Sequence, residues 1–354
     1  CVANELVKKK FKVTAIDSGE FLNIDFFNKS WIKSDFSKIK SSLSIIKSFI
    51  LNSKISDFTN PVTHRVSSLI QSKNLSIISS GKNKFETYGI NKVGGRSHIW
   101  GRVAPRSPKS DFGNLKKWPF KYKNITNFYR EIESKFKLSG LKNKQLDLFN
   151  GNYIKKKKFN KLEKLFLDEV KKKWRFRSSN VLPTLDYTPG PLNPMLKEII
   201  HNKNFEIIKN TIVKKIITNK DGVAEAIETI NKKSKKKTIL YSDFIFISAS
   251  PLETIKILLN SKSKKFVNGI GNTTKLLGKK FFDHIGIAYN SLIKTKLNIH
   301  SKKKFNPLHP NKNTNGFYFL PFRDKEIKNK FILKYSIHGT IDTERNILSI
   351  YSFS

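Results

Sequence analysis

Residues 88–112, YGINKVGGRSHIWGRVAPRSPKSDF, hold the densest set of residues able to do chemistry. Gly89, Gly94, Gly95 and Gly101 are four of the chain's 17 glycines, and Arg96, Arg102 and Arg106 are three of its nine arginines. Paired glycines reach positive φ and let backbone N–H groups approach a ligand closely. Ser97, His98 and Trp100 follow with a hydroxyl, an imidazole and an aromatic surface. A Gly-rich surface turn beside a core tryptophan would use the same residues.

Asp17 is the second candidate. It stops the apolar run Val13, Ala15, Ile16, and an acid at a strand end is where a dinucleotide fold hydrogen-bonds a ribose hydroxyl. Such an acid follows a Gly-x-Gly-x-x-Gly turn by ~20 residues. Counted back from Asp17, those glycines fall just before Cys1, and the helix starting at Cys1 would face the pyrophosphate. An ordinary helix–strand pair with a solvated Asp reads the same way. Asp283-His284 could serve acid–base chemistry or half a metal site. Neighbours in one strand point to opposite faces, however, so a structural or near-site role is expected. The single Cys excludes a disulfide framework and a Cys-based zinc site, and no metal is predicted.

The elements around these residues follow from periodicity. Residues 1–20 predict a helix with Val2, Ala3 and Leu6 on one face, a basic turn and a buried strand. Helical spacing recurs around Leu43–Leu51, where no chemistry is evident. It recurs over 118–140, with Ile125, Phe128, Tyr129, Ile132 and Phe136 directed to the core. In 157–177, Phe159, Leu162, Leu165, Phe166, Val170 and Trp174 share a face. Pro183, Pro189, Pro191 and Pro194 mark an extended connection. Strands are predicted at Phe205–Ile208, Thr211–Thr218, Val223–Ile230, Thr238–Tyr241 and Phe244–Ala249, with a hairpin turn at Asp221-Gly222. The last of these, apolar at every position from Phe244 to Ile247, is expected to be fully buried. A helix carrying Leu252, Ile255, Leu258 and Leu259 follows, and alternation over 331–354 predicts further strands.

The chain has 354 residues and a net charge of +42, with 60 Lys against nine Arg. Bidentate base and phosphate readers favour Arg. An excess that is nearly all Lys, beside abundant Asn, Ile and Phe, matches AT-rich codons, so a solvated, composition-driven surface is expected and no nucleic acid. No run approaches the ~20 apolar residues that span a bilayer. Met195 is the single Met, so the chain is expected to start inside a gene or to be processed. The compartment stays open, with the cytoplasm favoured.

Taken in order, these segments resemble the glucose–methanol–choline (GMC) oxidoreductases, FAD enzymes that oxidise alcohols and sugars. VTAIDSG is similar to the family's ribose-binding acid followed by Gly, and GGRSHIWG to its flavin-contacting Gly-Gly-x-Ser-x-x-Trp-Gly loop. Asp111-Phe112, Trp118-Pro119 and NFYREIESKFKLSG resemble the family's Asp-Phe, Trp-Pro and Tyr-rich helix. NTIVKKI resembles the strand whose backbone meets adenine. FIFISASPLETIKILLNS resembles the Ala-Ala-Gly-Ala-x-Glu-Thr segment, with Ser250 where the family has Gly and Pro251 where it has Ala. GNTTKLLGKKFFDHIG resembles the Gly-Arg-x-x-x-Asp-His motif.

The resemblance implies an α/β fold, with an FAD-binding Rossmann-like three-layer domain interleaved with an antiparallel-sheet substrate domain. The FAD-binding domain would comprise 1–115 and 200–295, residues 116–199 would form a helical and extended insertion, and 296–354 would begin the substrate domain. It implies FAD-dependent oxidation of the CH–OH group of an alcohol or sugar, with an acceptor left open. Asp17 would hold the ribose, Gly94, Gly95 and Ser97 would line the pyrophosphate and flavin with His98 and Trp100 nearby, Val213 would meet adenine, and Ser250 would sit at the strand–helix turn. His98 lies one residue off the position used for covalent flavin attachment, so no covalent link is expected. No catalytic residue is assigned. The base is expected beyond Ser354, leaving this stretch inactive alone. The competing class is a non-catalytic basic protein binding nucleic acid or an anionic surface.

Overall fold

The computed structural model describes residues 1–21, 90–98, 102–107, 109–112, 118–142, 150–173, 179–181, 183–185, 194–279, 286–292, 317–319, 336–342 and 347–353. The helices are α1 (Val2–Lys8), α2 (Tyr122–Lys135), α3 (Lys161–Lys173), α4 (Pro194–Ile199) and α5 (Pro251–Asn260). The first strands are β1 (Val13–Ile16), β2 (Leu138–Gly140), β3 (Lys155–Lys156), β4 (Ser179–Val181) and β5 (Thr184–Leu185). Then come β6 (Phe205–Ile208), β7 (Thr211–Thr218), β8 (Ala224–Asn231) and β9 (Lys237–Tyr241). The last are β10 (Gly286–Leu292), β11 (Phe317–Phe319), β12 (Ser336–Asp342) and β13 (Ile347–Phe353). Helix and sheet mix in an α/β fold. The chain divides into two compact units, one of Cys1–Ile24, Ser68–Arg96 and Met195–Asp283, the other of Asp25–Ser67, Ser97–Pro194 and His284–Ser354.

In the first unit, β1 and β6 pair in parallel, Val13 opposite Phe205 through Ile16 opposite Ile208. Val7, Ile199 and Phe205 form the buried core beneath them, with Ala3, Val13, Ala15 and Leu196 packed against it. The inward face of α1 is therefore Ala3, Asn4 and Val7, whereas Val2 is exposed. Asn4 is inward because its amide donates to the Met195 carbonyl (3.1 Å) and to Glu198 (2.9 Å), which ties α1 to α4. The α4 helix replaces part of the expected extended connection: Pro194 opens it, and a proline at the first helical position forfeits no internal hydrogen bond.

β7, β8 and β9 form an antiparallel sheet. The β7–β8 turn closes with the Gly222 N–H on Asn219 (3.0 Å), Gly222 holding φ +81. A register shift lies between Val213 and Lys215. Just after it, the Ile216 N–H donates to the buried Ser261 hydroxyl (2.8 Å), which donates onward to Ile257 of α5 (2.6 Å).

The expected buried strand at 244–249 is corrected. Residues 244–248 carry no strand pairing among the described residues, and Phe244 and Phe246 are exposed while Ile245 and Ile247 are half-buried. An apolar run buries both faces only if strands and helices cover both, and its sequence does not carry that cover.

The second unit holds the five-stranded antiparallel sheet β10-β13-β12-β11-β4 and the smaller sheet β3-β2-β5. The expected C-terminal alternation appears as the β12–β13 hairpin, Ser336 opposite Phe353. Phe112, Trp118, Phe120 and Tyr122 form an aromatic cluster with centroids 5.4–6.2 Å apart. α3 starts with a capping box in which the Glu163 N–H donates to Asn160 Oδ1 (2.7 Å) and the Asn160 N–H to Glu163 (2.9 Å). Leu162 and Leu167 of α3 are buried and Leu165 exposed, so its inward face is rotated from the expected one. On α2, Phe128 and Ile132 are exposed and Glu133 is buried. Apolar spacing placed Phe128 and Ile132 in the core, but the inward face runs through the half-buried Ile125, Tyr129 and Phe136 and the buried Glu133, rotated from the expected one.

Candidate functional site

The Asp17 turn is built almost wholly from backbone. As β1 ends, the Asp17 N–H donates to Ile208 (3.0 Å) and its carbonyl accepts from Thr211 (3.1 Å), which starts β7 beside it. The Asp17 carboxylate accepts the Gly19 N–H (2.7 Å), folding the chain back on itself. Gly19 is a glycine for a steric reason: an added Cβ would lie 2.5 Å from Asn91 C and Lys92 N. The second segment is held there by the Val93 N–H on the Glu20 carbonyl (2.9 Å) and the Ser18 hydroxyl donating to Asn91 (3.0 Å).

Directly after the buried Val93, both glycines of the candidate loop take left-handed backbone, φ +97 at Gly94 and φ +50 at Gly95. The Gly95 N–H closes the turn on Lys92 (2.8 Å), and a Cβ at Gly95 would meet nothing within 4 Å. A 3-10 turn then runs Gly95–His98, ending on a buried His98. The structure thus sets the Asp17 turn against residues 91–93, which lead directly into Gly94 and Gly95, with Val213 two residues along the strand that starts at the Asp17 carbonyl. Ser97 and His98 belong to the second unit. Trp100 and the Asp283-His284 pair lie outside the described residues.

Ser250 lies in the first unit as the N-cap of α5 at φ +69, ψ 161, a region that is essentially glycine's. Its side chain makes no cap hydrogen bond, and Pro251 follows at the first turn.

Lysines that sequence reasoning did not single out edge the Asp17 turn. Lys232 Nζ donates to the Ser18 carbonyl (3.2 Å), Lys233 pairs with Glu20 (2.7 Å), and Lys209 lies 4.9 Å from the Phe21 ring centroid. Hydrogen bonds from Lys233 and then Asn210 hold the Glu20 carboxyl down to about 2. No sequence pattern joins these residues, because Asn210 meets Glu20 across 190 positions and Lys232 meets Ser18 across 214.

Of the three arginines near the Gly-Gly pair, Arg106 has a different setting. It is buried and meets the buried Glu133 with two parallel bonds, Nε–Oε1 and Nη2–Oε2, each 2.6 Å. The Asn152 N–H donates to the same carboxylate (2.7 Å), and the guanidinium lies 5.4 Å from the Tyr129 ring centroid. The bond to Glu133 raises the already high Arg106 pKa, and burial pushes the neighbouring Tyr153 up to about 12. Such a fully paired group is a fastening rather than a reactive site. Among the described residues no three His, Cys, Asp or Glu side chains converge on a metal position, and no helix is long and apolar enough to cross a membrane.

No protein-family model matches the chain, and no curated protein matches it in sequence. Solved structures do. Formate oxidase superposes with a TM-score of 0.58 at 12% identity, covering 97% of this chain and 68% of the oxidase. Two variants of the Aspergillus oryzae RIB40 formate oxidase, studied for their effect on FAD modification, give TM-scores of 0.60 and 0.59 at 12% and 13% identity. Both matches cover 99% of this chain and 70% of the oxidase. At these identities the shared property is the fold. The chain has the fold of formate oxidase.

Proposed function

We propose that the chain is the larger part of an FAD-dependent oxidoreductase acting on the CH–OH group of a small alcohol or sugar. The observation that carries this reading is the packing of the Asp17 turn against the residues leading into Gly94-Gly95, on a chain with the fold of formate oxidase. The residues suit the group. Asp17 would offer a carboxylate to ribose hydroxyls, the open space at Gly95 would admit a phosphate or ring close to the backbone, and Lys92, Lys209 and Lys232 would offset a pyrophosphate's charge.

Asp17, Gly94, Gly95 and Ser97 would hold FAD, with Val213 meeting adenine through its backbone and Ser250 at the α5 turn. His98 and Trp100 would lie beside the ring. FAD supplies a hydride acceptor when bound. The chain's own contribution is to orient: the backbone-built turn keeps Asp17 in place, and the two left-handed glycines keep side chains out of the way. The proton-accepting base is assigned to no residue of this chain.

The test is purification of the chain, and of the coding region extended on both sides, followed by flavin absorbance and titration with FAD. Flavin retained by the extended protein and lost in Asp17→Ala supports the reading. A folded, colourless extended protein that does not bind FAD overturns it.

A further inference from the structure

The turn between α1 and β1 carries a surface that the cofactor reading does not use. α1 ends in a Schellman motif: the Lys10 N–H donates to Val7 (2.9 Å) and the Phe11 N–H to Leu6 (3.1 Å). The left-handed position of that motif is usually glycine, and here it is Lys10 at φ +67. The turn is therefore fixed by hydrogen bonds while presenting Lys8, Lys9, Lys10, Phe11 and Lys12, all exposed, with Phe11 at 50%. The neighbouring turn adds to it, because the Val13 N–H donates to Asn204 (2.8 Å) and so brings exposed His201 and Lys203 alongside. Neither 8–14 nor 200–204 contains an acidic residue. Glu5 pairs with Lys8 (2.8 Å), and Glu206 lies further along, opposite Thr14.

Most of the lysine excess is spread evenly enough to be compositional, but in this patch an exposed aromatic ring is held among lysines by a hydrogen-bonded turn. Lys point charges suit a diffuse anionic surface, and the patch has no Arg fork for bidentate phosphate or base contacts. A half-exposed Phe has no partner on a duplex backbone, whereas at a lipid headgroup boundary it leaves water. We propose that the α1–β1 turn docks the protein on an anionic phospholipid surface, with Phe11 entering the headgroup region and Lys9, Lys10, Lys12 and Lys203 facing the lipid charges. The proposal is independent of the cofactor reading.

Flotation of the full chain with phosphatidylcholine vesicles, with and without phosphatidylserine, tests it. Binding is expected only with phosphatidylserine. The triple variant Lys9→Gln, Lys10→Gln, Lys12→Gln is expected to bind on the order of a hundredfold more weakly. A control triple, Lys262→Gln, Lys264→Gln, Lys279→Gln, removes the same charge from exposed sites elsewhere in the unit and is expected to bind within about threefold of the parent, since charges beyond a Debye length of the lipid are screened. Phe11→Ser, at unchanged charge, is expected to lose roughly tenfold. Melting temperatures are measured on all variants, and these exposed substitutions are expected to leave them unchanged. Equal losses in the two triples overturn the proposal, as does an unaltered Phe11→Ser. Tighter binding to single-stranded DNA than to vesicles, with the same dependence on Phe11, assigns the patch to nucleic acid and overturns it too.

Discussion

The Asp17 turn and the Arg106–Glu133 pair are both polar clusters that join distant segments, yet they are built in opposite ways. The first rests on backbone hydrogen bonds and a close approach at Gly19, and its charged side chains stay near solvent. The second is a buried side-chain ion pair closed by a backbone N–H. A cluster made of backbone tolerates changes of side-chain charge but no added Cβ; a cluster made of a buried pair tolerates neither partner's loss. The first arrangement suits a surface that must receive a ligand, the second one that must not move.

The largest expected effect breaks the buried pair. Glu133→Ala leaves Arg106 charged without its partner and is expected to lower stability by about 3–5 kcal/mol in urea unfolding. Adding Arg106→Met to it is expected to recover much of that loss, because no uncompensated charge remains.

Gly19→Ala comes next, at about 1–3 kcal/mol, since its Cβ meets backbone that cannot swing aside. Ser18→Ala, one position away and exposed, is expected to stay within about 0.5 kcal/mol by the same measurement.

Ser250→Gly is expected to raise stability by about 1 kcal/mol, by removing a Cβ from a glycine-favoured backbone.

The smallest effect concerns Glu20. Its folded pKa, about 2, lies below the ordinary carboxylate value of 4.5, so its contribution is complete above pH 4.5 and is lost as pH falls towards 2. The melting-temperature difference between the parent and Glu20→Gln is expected to shrink over that window. A difference that grows on acidification would contradict the sign.

The two clusters also differed in how far they could be read beforehand. Asp17 stood out as an acid ending an apolar run, and the Gly94-Gly95 pair because Gly is scarce in this chain, so its use where backbone must turn or approach is visible against a lysine-rich background. The lysines and Asn210 that edge the turn carry no such mark. Glu133 was hidden more deeply, since it lies on a helix whose apolar spacing pointed Phe128 and Ile132 inward. Its two charge-assisted bonds reach Arg106 across 27 positions, a partner that helical spacing does not reveal. The same limit applies at 244–247, where an unbroken apolar run exposes both of its aromatic rings.

Local chemistry determined a good deal by itself: the boundaries of β6 and β7, the Gly222 hairpin and the positive φ required at Gly94 and Gly95 depend on residues a few positions apart. Tertiary structure alone decided which face of α1, α2 and α3 turns inward, that α4 forms, and that Ser250 takes a glycine's conformation. Those outcomes depend on partners tens to hundreds of positions away, such as Met195 for Asn4 and Glu133 for Arg106. Helical periodicity measures how apolar each face is, and it carries no information about which polar group will find a partner once the chain has closed.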